Sequence, residues 1–152
     1  MNKNKVRIGG ASAFYGDSQL SARQLVEKGD IDYLVFDYLA EVTMAILSQA
    51  KAKNEKLGYA VDFVTVAMKD VLQDCAQKGI KVVANAGGVN VPACIESLNA
   101  LCAQLNLNLN IVGVYGDNLL NEVHRETLAE ANTHDLDNGN ELPNTLASMN
   151  AY

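Results

Sequence analysis

The sequence has little that would tie it to a membrane, a nucleic acid or an oxidising compartment. No apolar run approaches the roughly 18 residues that a membrane span needs. The opening residues, Met1-Asn2-Lys3-Asn4-Lys5, are basic, but a strand-like segment follows them instead of a signal-peptide apolar stretch. Lys and Arg number 12 against 18 Asp and Glu, a net charge of -6, and they form no basic stripe. That balance argues against nucleic acid and against an anionic membrane as partners. There are 3 cysteines, an odd number without a C-x-x-C pair, so they cannot all pair within the chain. The 2 histidines, His124 and His134, have no Cys or carboxylate set at metal-ligand spacing and read as solvated surface. Neither an internal repeat nor a low-complexity segment is present beyond an Asn bias in the tail. Cytoplasm is the compartment these absences leave.

What is present is an ordinary globular composition, 49% hydrophobic and 20% charged over 152 residues. One domain is the default at this length, able to bury roughly two-thirds of its unfolded surface. The organising stretch is Ile80-Lys81-Val82-Val83-Ala84-Asn85-Ala86-Gly87-Gly88-Val89-Asn90-Val91-Pro92. An apolar β-branched run passes through a Gly-Gly pair into helical periodicity starting near Pro92, which reads as strand, tight loop and helix start. Asn90 is an N-cap candidate and Pro is tolerated in a first helical turn. Free N–H groups at such a helix start would suit a phosphate or carboxylate. The plain alternative is a βα turn with glycines for geometry alone.

Taken in order, the chain alternates strands and helices. Residues 5–8 read as a first strand running into Gly9-Gly10-Ala11-Ser12, a small flexible loop suited to facing a ligand. Asp17 or Ser18 could cap a helix over 19–28 that Gly29 closes. Residues 31–36 form a near-continuous apolar run, the pattern of a strand covered on both faces. It ends on Asp37-Tyr38, and a helix over 39–53 follows. Asp37 and Glu41, four apart, could share a helix face as general acid and base or hold a metal. The alternative is a capping Asp with a first-turn Glu that suits the macrodipole.

A polar, Gly-containing connection at 54–59 leads to a one-sided helix over 61–78, with Val64, Met68, Val71, Leu72 and Cys75 facing the core. Cys94 and Cys102 share the apolar face of the Pro92 helix with Ile95, Leu98, Leu101 and Leu105. All three thiols therefore read as small buried hydrophobes. Residues 111–114 read as a fourth strand ending in Tyr115-Gly116-Asp117-Asn118, and 119–130 as a further helix. From Ala131 the chain is Asn-rich and breaker-rich, a loop.

This order implies an α/β fold, a mostly parallel sheet with flanking helices in a Rossmann-like three-layer arrangement. Ligands in such sheets bind outside the carboxyl ends of the strands. All four predicted ends carry small or polar residues: Gly9, Gly10 and Ser12; Asp37 with Glu41; Asn85, Gly87, Gly88 and Asn90; and Asp117. Asp37, Glu41, Asn85 and Asp117 are expected to converge at one sheet edge beside the Gly87–Gly88 loop.

Four blocks in register carry a family resemblance. Arg7-Ile8-Gly9 with Phe14-Tyr15-Gly16-Asp17, then Asp37-Tyr38-Leu39-Ala40-Glu41-Val42-Thr43-Met44, then Asn85-Ala86-Gly87-Gly88-Val89-Asn90, then Gly116-Asp117-Asn118-Leu119-Leu120 follow the order of the acyclic terpene utilisation family. The chain resembles the N-terminal region of that family across 6–152. Two departures bear on anion binding: Val91 intervenes before Pro92, and Ser18 and Gln19 stand where basic residues often follow.

The resemblance implies a place in the breakdown of citronellol- and geraniol-type terpenes, a pathway that works on coenzyme A thioesters. It also implies a longer protein, of which this chain would be a front part or fragment. On that expectation 1–131 is an α/β domain, 132–152 is a loop-rich tail running into a truncated continuation, and the sheet could lack strands or belong to a larger α/β barrel-like domain. An uncovered sheet edge or apolar face would then favour self-association into a homo-oligomer.

Two functions from different classes follow. One is an enzyme domain acting on an acyl-coenzyme A thioester or a carboxylate, with Gly87–Asn90 N–H groups holding an anion or oxyanion and Asp37 or Glu41 moving a proton. The other is a non-catalytic domain that binds a ligand or partner subunit. No cofactor is identifiable from the residues.

Overall fold

Among the described residues, the small-residue segment β1 (Ile8–Ser12) and the apolar segments β2 (Tyr33–Phe36) and β3 (Lys81–Ala84) pair into a parallel sheet of three strands in the order β1-β2-β3. The computed structural model describes residues 5–118, 126–127, 130–131 and 134–141. The chain divides into two compact units, Met1–Gly113 and Val114–Tyr152, and the sheet lies in the first. The helices there are α1 (Ser21–Lys28), α2 (Glu41–Lys53), a π-helical segment (Phe63–Met68) continued by α3 (Lys69–Lys78), and α4 (Val91–Gln104).

β1 begins later than the apolar run at 5–8 suggests and takes Gly9 and Gly10 into the strand, so they are not a ligand-facing loop. The reason is packing. A Cβ on Gly9 would lie 3.1 Å from Leu25 and 3.2 Å from Ile31, so the sheet meets α1 closely only where a side chain is missing. In register, Ile8, Tyr33 and Lys81 align, as do Gly10, Val35 and Val83.

With consecutive strands adjacent in this order, right-handed crossovers put the helices on one face. α1 packs on β1 and β2, α3 packs on β3 and on α1, and Ala11, Leu34 and Phe36 are buried beneath them. The opposite face is open: Ile8 is 66% and Val83 52% exposed, and Lys81 Nζ lies 5.5 Å from the Tyr33 ring centroid. The fold is thus α/β and Rossmann-like, with an open, incomplete sheet.

Arg23 ties α1 to α3. Its Nε donates to Asp70 Oδ2 at 3.0 Å, and its guanidinium also reaches Asp70 Oδ1 at 2.8 Å and Asp74 Oδ2 at 2.5 Å. The periodic stretch 61–78 is a single helical run with a π-helical segment inside it, and Val64, Met68, Val71, Leu72 and Cys75 are all buried. It ends at Gly79, whose φ of 69° lets Ile80 N–H reach back to the Cys75 carbonyl at 2.9 Å. The three cysteines are free and buried, and burial pushes the Cys75 and Cys94 thiols up to about 11.

Three expectations are corrected. α2 starts at Glu41 from an extended Ala40, so Asp37 precedes the helix, does not cap it and shares no helix face with Glu41. α1 starts at Ser21, after a loop that engages both Asp17 and Ser18. Residues 111–114 carry no strand pairing among the described residues: Val112 and Val114 are exposed and only Ile111 packs on the core.

The expected helix over 119–130 and His124 lie largely or wholly outside the described residues. In the second unit, the Asn-rich stretch is a loop closed by pairing of His134 with Glu141. Asp135 Oδ1 organises it by accepting Asp137 N–H at 2.8 Å and Asn138 N–H at 3.2 Å.

Candidate functional site

The carboxyl ends of β1 and β2 open onto a depression lined by Ser12, Asp17, Ser18, Phe36, Tyr38 and Asp62, among others. Its cavity volume of about 20 Å³ has room for roughly one water-sized group. Each polar wall comes from a different stretch. Ser12 ends β1, Asp17 and Ser18 come from the loop to α1, Tyr38 lies just past β2, and Asp62 stands at the start of the π-helical segment. π-Helical segments inside helices recur at functional sites, because the wider turn re-aims side chains.

The loop after β1 folds on its own aspartate. Asp17 Oδ2 accepts Ala13 N–H at 2.9 Å and Oδ1 accepts Ser18 N–H at 2.7 Å, and these two bonds hold its carboxyl below the usual range. Gly16, at φ 89°, makes the turn that permits this. Asp62 is in the opposite situation. Burial raises its carboxyl, and the hydrogen bond that its Oδ1 accepts from Phe63 N–H at 3.0 Å offsets this only in part.

Of the 3 Phe and 6 Tyr in the chain, two of each gather here. Phe36 meets Phe63 edge-on with centroids 5.1 Å apart and stacks on Tyr38 at 5.9 Å; Tyr38 meets Phe63 at 6.1 Å and Tyr15 at 6.2 Å. Burial, then the charges of Asp62 and Asp17, raise the Tyr38 hydroxyl well above its ordinary value; burial and Asp62 do the same to Tyr15.

Beside this depression the strand ends are stitched together. Ser12 Oγ donates to the Asp37 carbonyl at 3.3 Å, and Asn85 Nδ2 donates to Asp37 Oδ1 at 2.7 Å. Asn85 Oδ1 accepts Tyr38 N–H at 2.7 Å. Ser12, Asp37 and Asn85 therefore do come together, with Asn85 holding the chain at the pocket's Tyr38. Glu41 is exposed in the first turn of α2 and does not line the depression. Gly9 and Gly10 lie within β1, and Asp117 belongs to the second unit.

The Gly87–Asn90 loop is bound by the protein itself. Gly88 N–H donates to the Asn85 carbonyl at 3.2 Å, Val89 N–H to Gly58 at 2.9 Å and Asn90 N–H to Gly87 at 2.9 Å. Asn90 occupies the N-cap position of α4, but its side chain does not cap. Its Nδ2 donates to the Glu55 carbonyl at 2.8 Å and the Leu57 carbonyl at 2.7 Å, fastening the 54–58 connection. A Cβ on Gly88 would meet Leu47 Cδ1 at 2.4 Å and the Gly58 carbonyl oxygen at 2.8 Å, so the close approach to this glycine is made by the protein's own atoms.

Tyr15, Tyr38 and Asp62 are not among the site residues expected from the sequence, where Asp17 reads only as a cap. The signal available was the pair of blocks Phe14-Tyr15-Gly16-Asp17 and Asp37-Tyr38, each just past a strand. Nothing local marks Asp62. Among the described residues, no three His, Cys, Asp or Glu side chains gather as a metal site.

A family model described as "Acyclic terpene utilisation family protein AtuA" matches residues 6–152. No curated protein and no solved structure matches the chain. The match spans nearly all of the sequence, and the chain belongs to that family.

Proposed function

We propose that this member of the acyclic terpene utilisation family binds a terpenoid acyl thioester at the carboxyl ends of β1 and β2. One observation carries the reading: Ser12, Asp17, Tyr38 and Asp62, from four separate stretches, line one depression where ligands of parallel sheets bind. Family membership supplies the terpenoid. The acidic wall favours a thioester over a free carboxylate, because the lowered Asp17 repels an anion, whereas a neutral carbonyl can accept a hydrogen bond from Tyr38. At about 20 Å³ the depression admits the carbonyl oxygen of such a ligand, with the rest of the molecule lying across its mouth.

The protein is then a component of acyl-coenzyme A metabolism in the cytoplasm, with a small molecule as partner and neither nucleic acid nor membrane. No helix among the described residues is long and apolar enough to cross a membrane.

Thermal unfolding with citronellyl-coenzyme A, citronellic acid and coenzyme A alone tests the reading. A ligand that binds only the native state at about 100 times its Kd adds about 2.7 kcal/mol, roughly 5–11 °C in Tm for a chain of this size. The thioester is expected to stabilise the protein while the free acid does not. Equal shifts with coenzyme A alone, or no shift, would refute it.

A further inference from the structure

We propose that the Asp62 carboxylate and the Tyr38 hydroxyl act as a pair on a bound acyl thioester, Asp62 removing a proton from the carbon next to the carbonyl and Tyr38 hydrogen-bonding the carbonyl oxygen. The inference rests on the reading of the depression as a thioester site, and assigns that site a reaction.

The first support is an unused donor. Tyr38 is only 4% exposed, its side chain lines the depression, and no described residue accepts a hydrogen bond from its hydroxyl. Buried tyrosine hydroxyls ordinarily find a partner. No fully enclosed side-chain polar atom among the described residues lacks one, so the Tyr38 oxygen keeps contact with open space, and Tyr38 is a lining residue of the depression. Contacts with the three rings of Phe36, Phe63 and Tyr15 hold the Tyr38 ring, so the hydroxyl is preorganised rather than free to swing away.

The second support is the contrast between the two carboxylates of the same wall. Asp17 spends both oxygens on loop N–H groups, which keep it ionised and make it a poor proton acceptor. Asp62 Oδ1 accepts Phe63 N–H and the carboxylate also meets its own backbone N–H, but burial outweighs both and makes it a stronger base than a surface aspartate. Two acids pushed apart by their surroundings have separate roles, one fixed and one that moves a proton.

The step balances without a co-reactant. Asp62 takes the proton; the C–H electron pair becomes the carbon–carbon double bond of the enolate; the carbonyl oxygen takes the negative charge and accepts the Tyr38 O–H. Tyr38 stays protonated throughout, as its raised hydroxyl requires. The reverse step returns a proton to the same carbon. In D2O the proton on Asp62 exchanges with solvent, so deuterium is returned instead.

The experiment is deuterium incorporation into citronellyl-coenzyme A in D2O, followed by mass spectrometry, alongside its thermal shift. The full chain is expected to incorporate deuterium faster than buffer alone. Asp62→Asn should lower the rate by about a hundredfold or more while keeping the thermal shift, since Asn can still accept Phe63 N–H. Tyr38→Phe keeps the ring and should lower the rate by at least about tenfold. A thermal shift without exchange by the wild type overturns the pair and leaves the binding reading standing. Asp62→Asn or Tyr38→Phe at the wild-type rate also overturns it. Absence of both shift and exchange overturns the pair and the binding reading together.

Discussion

Replacing Gly88 by alanine separates a glycine kept for a ligand from one kept for packing. Gly88 sits at φ 52°, and an added Cβ would meet Leu47 Cδ1 at 2.4 Å and the Gly58 carbonyl oxygen at 2.8 Å. The left-handed conformation costs an L-residue about 1–2 kcal/mol. Overpacking against buried Leu47 adds about 1–3 kcal/mol, since Gly58 belongs to backbone that cannot rotate away. Restricting the unfolded chain returns about 0.4–1 kcal/mol. The net loss is about 1–5 kcal/mol, or roughly 2–18 °C in Tm, a large part of the stability of a domain this size. Thermal and urea unfolding of the ligand-free protein measure it. Gly10→Ala is the matched control: no heavy atom lies within 4 Å of its would-be Cβ, and the same substitution there should raise Tm by about 1–4 °C rather than lower it. A Gly88→Ala protein that melts with the wild type would refute the packing argument and return the loop to candidacy as a ligand cradle.

The two shifted aspartates should leave opposite marks on stability against pH. Asp62, raised by burial, favours the fold fully below its unfolded pKa, and that contribution is lost as pH rises through its folded value. Asp62→Asn should therefore gain on the wild type between acid and neutral pH in melts across that range. Asp70, lowered chiefly by its hydrogen bond from Arg23, contributes above its unfolded pKa and loses that contribution as pH falls through the folded value. Arg23→Met should flatten this acid limb while costing no more than about 1 kcal/mol at neutral pH, because the pair is half in solvent. Cys75, Cys94 and Cys102 should resist a thiol reagent in the native state and react together on unfolding, which a labelling time course in urea reads directly. The open sheet face with Ile8 and Val83 should drive concentration-dependent self-association in sedimentation, and Val83→Lys should weaken it; a monomer at all concentrations would contradict this.

The alternation of elements is written in local residue patterns. The apolar runs at 33–36 and 81–84 became strands, and the apolar spacing of Val64, Met68, Val71, Leu72 and Cys75 became a buried helix face. Both signals are local, since side-chain periodicity reports which face of an element meets the core. The family was legible for the same reason, from four blocks in fixed order.

Which groups occupy each neighbourhood depends on long-range packing. Residues 111–114 have strand composition, but a strand exists only where a second backbone pairs with it, and none does so among the described residues. A Gly-Gly pair announces close approach without naming the visitor, and at Gly88 the visitors are Leu47 and Gly58. Asp62 lies 24 residues beyond Tyr38 in a stretch with no strand end, and it reaches the pocket because the helical run from 61 to 78 packs on the aromatic cluster past β2. Burial, which turns that aspartate from an ordinary surface acid into a candidate base, is a property of the assembled fold and of no local stretch of sequence.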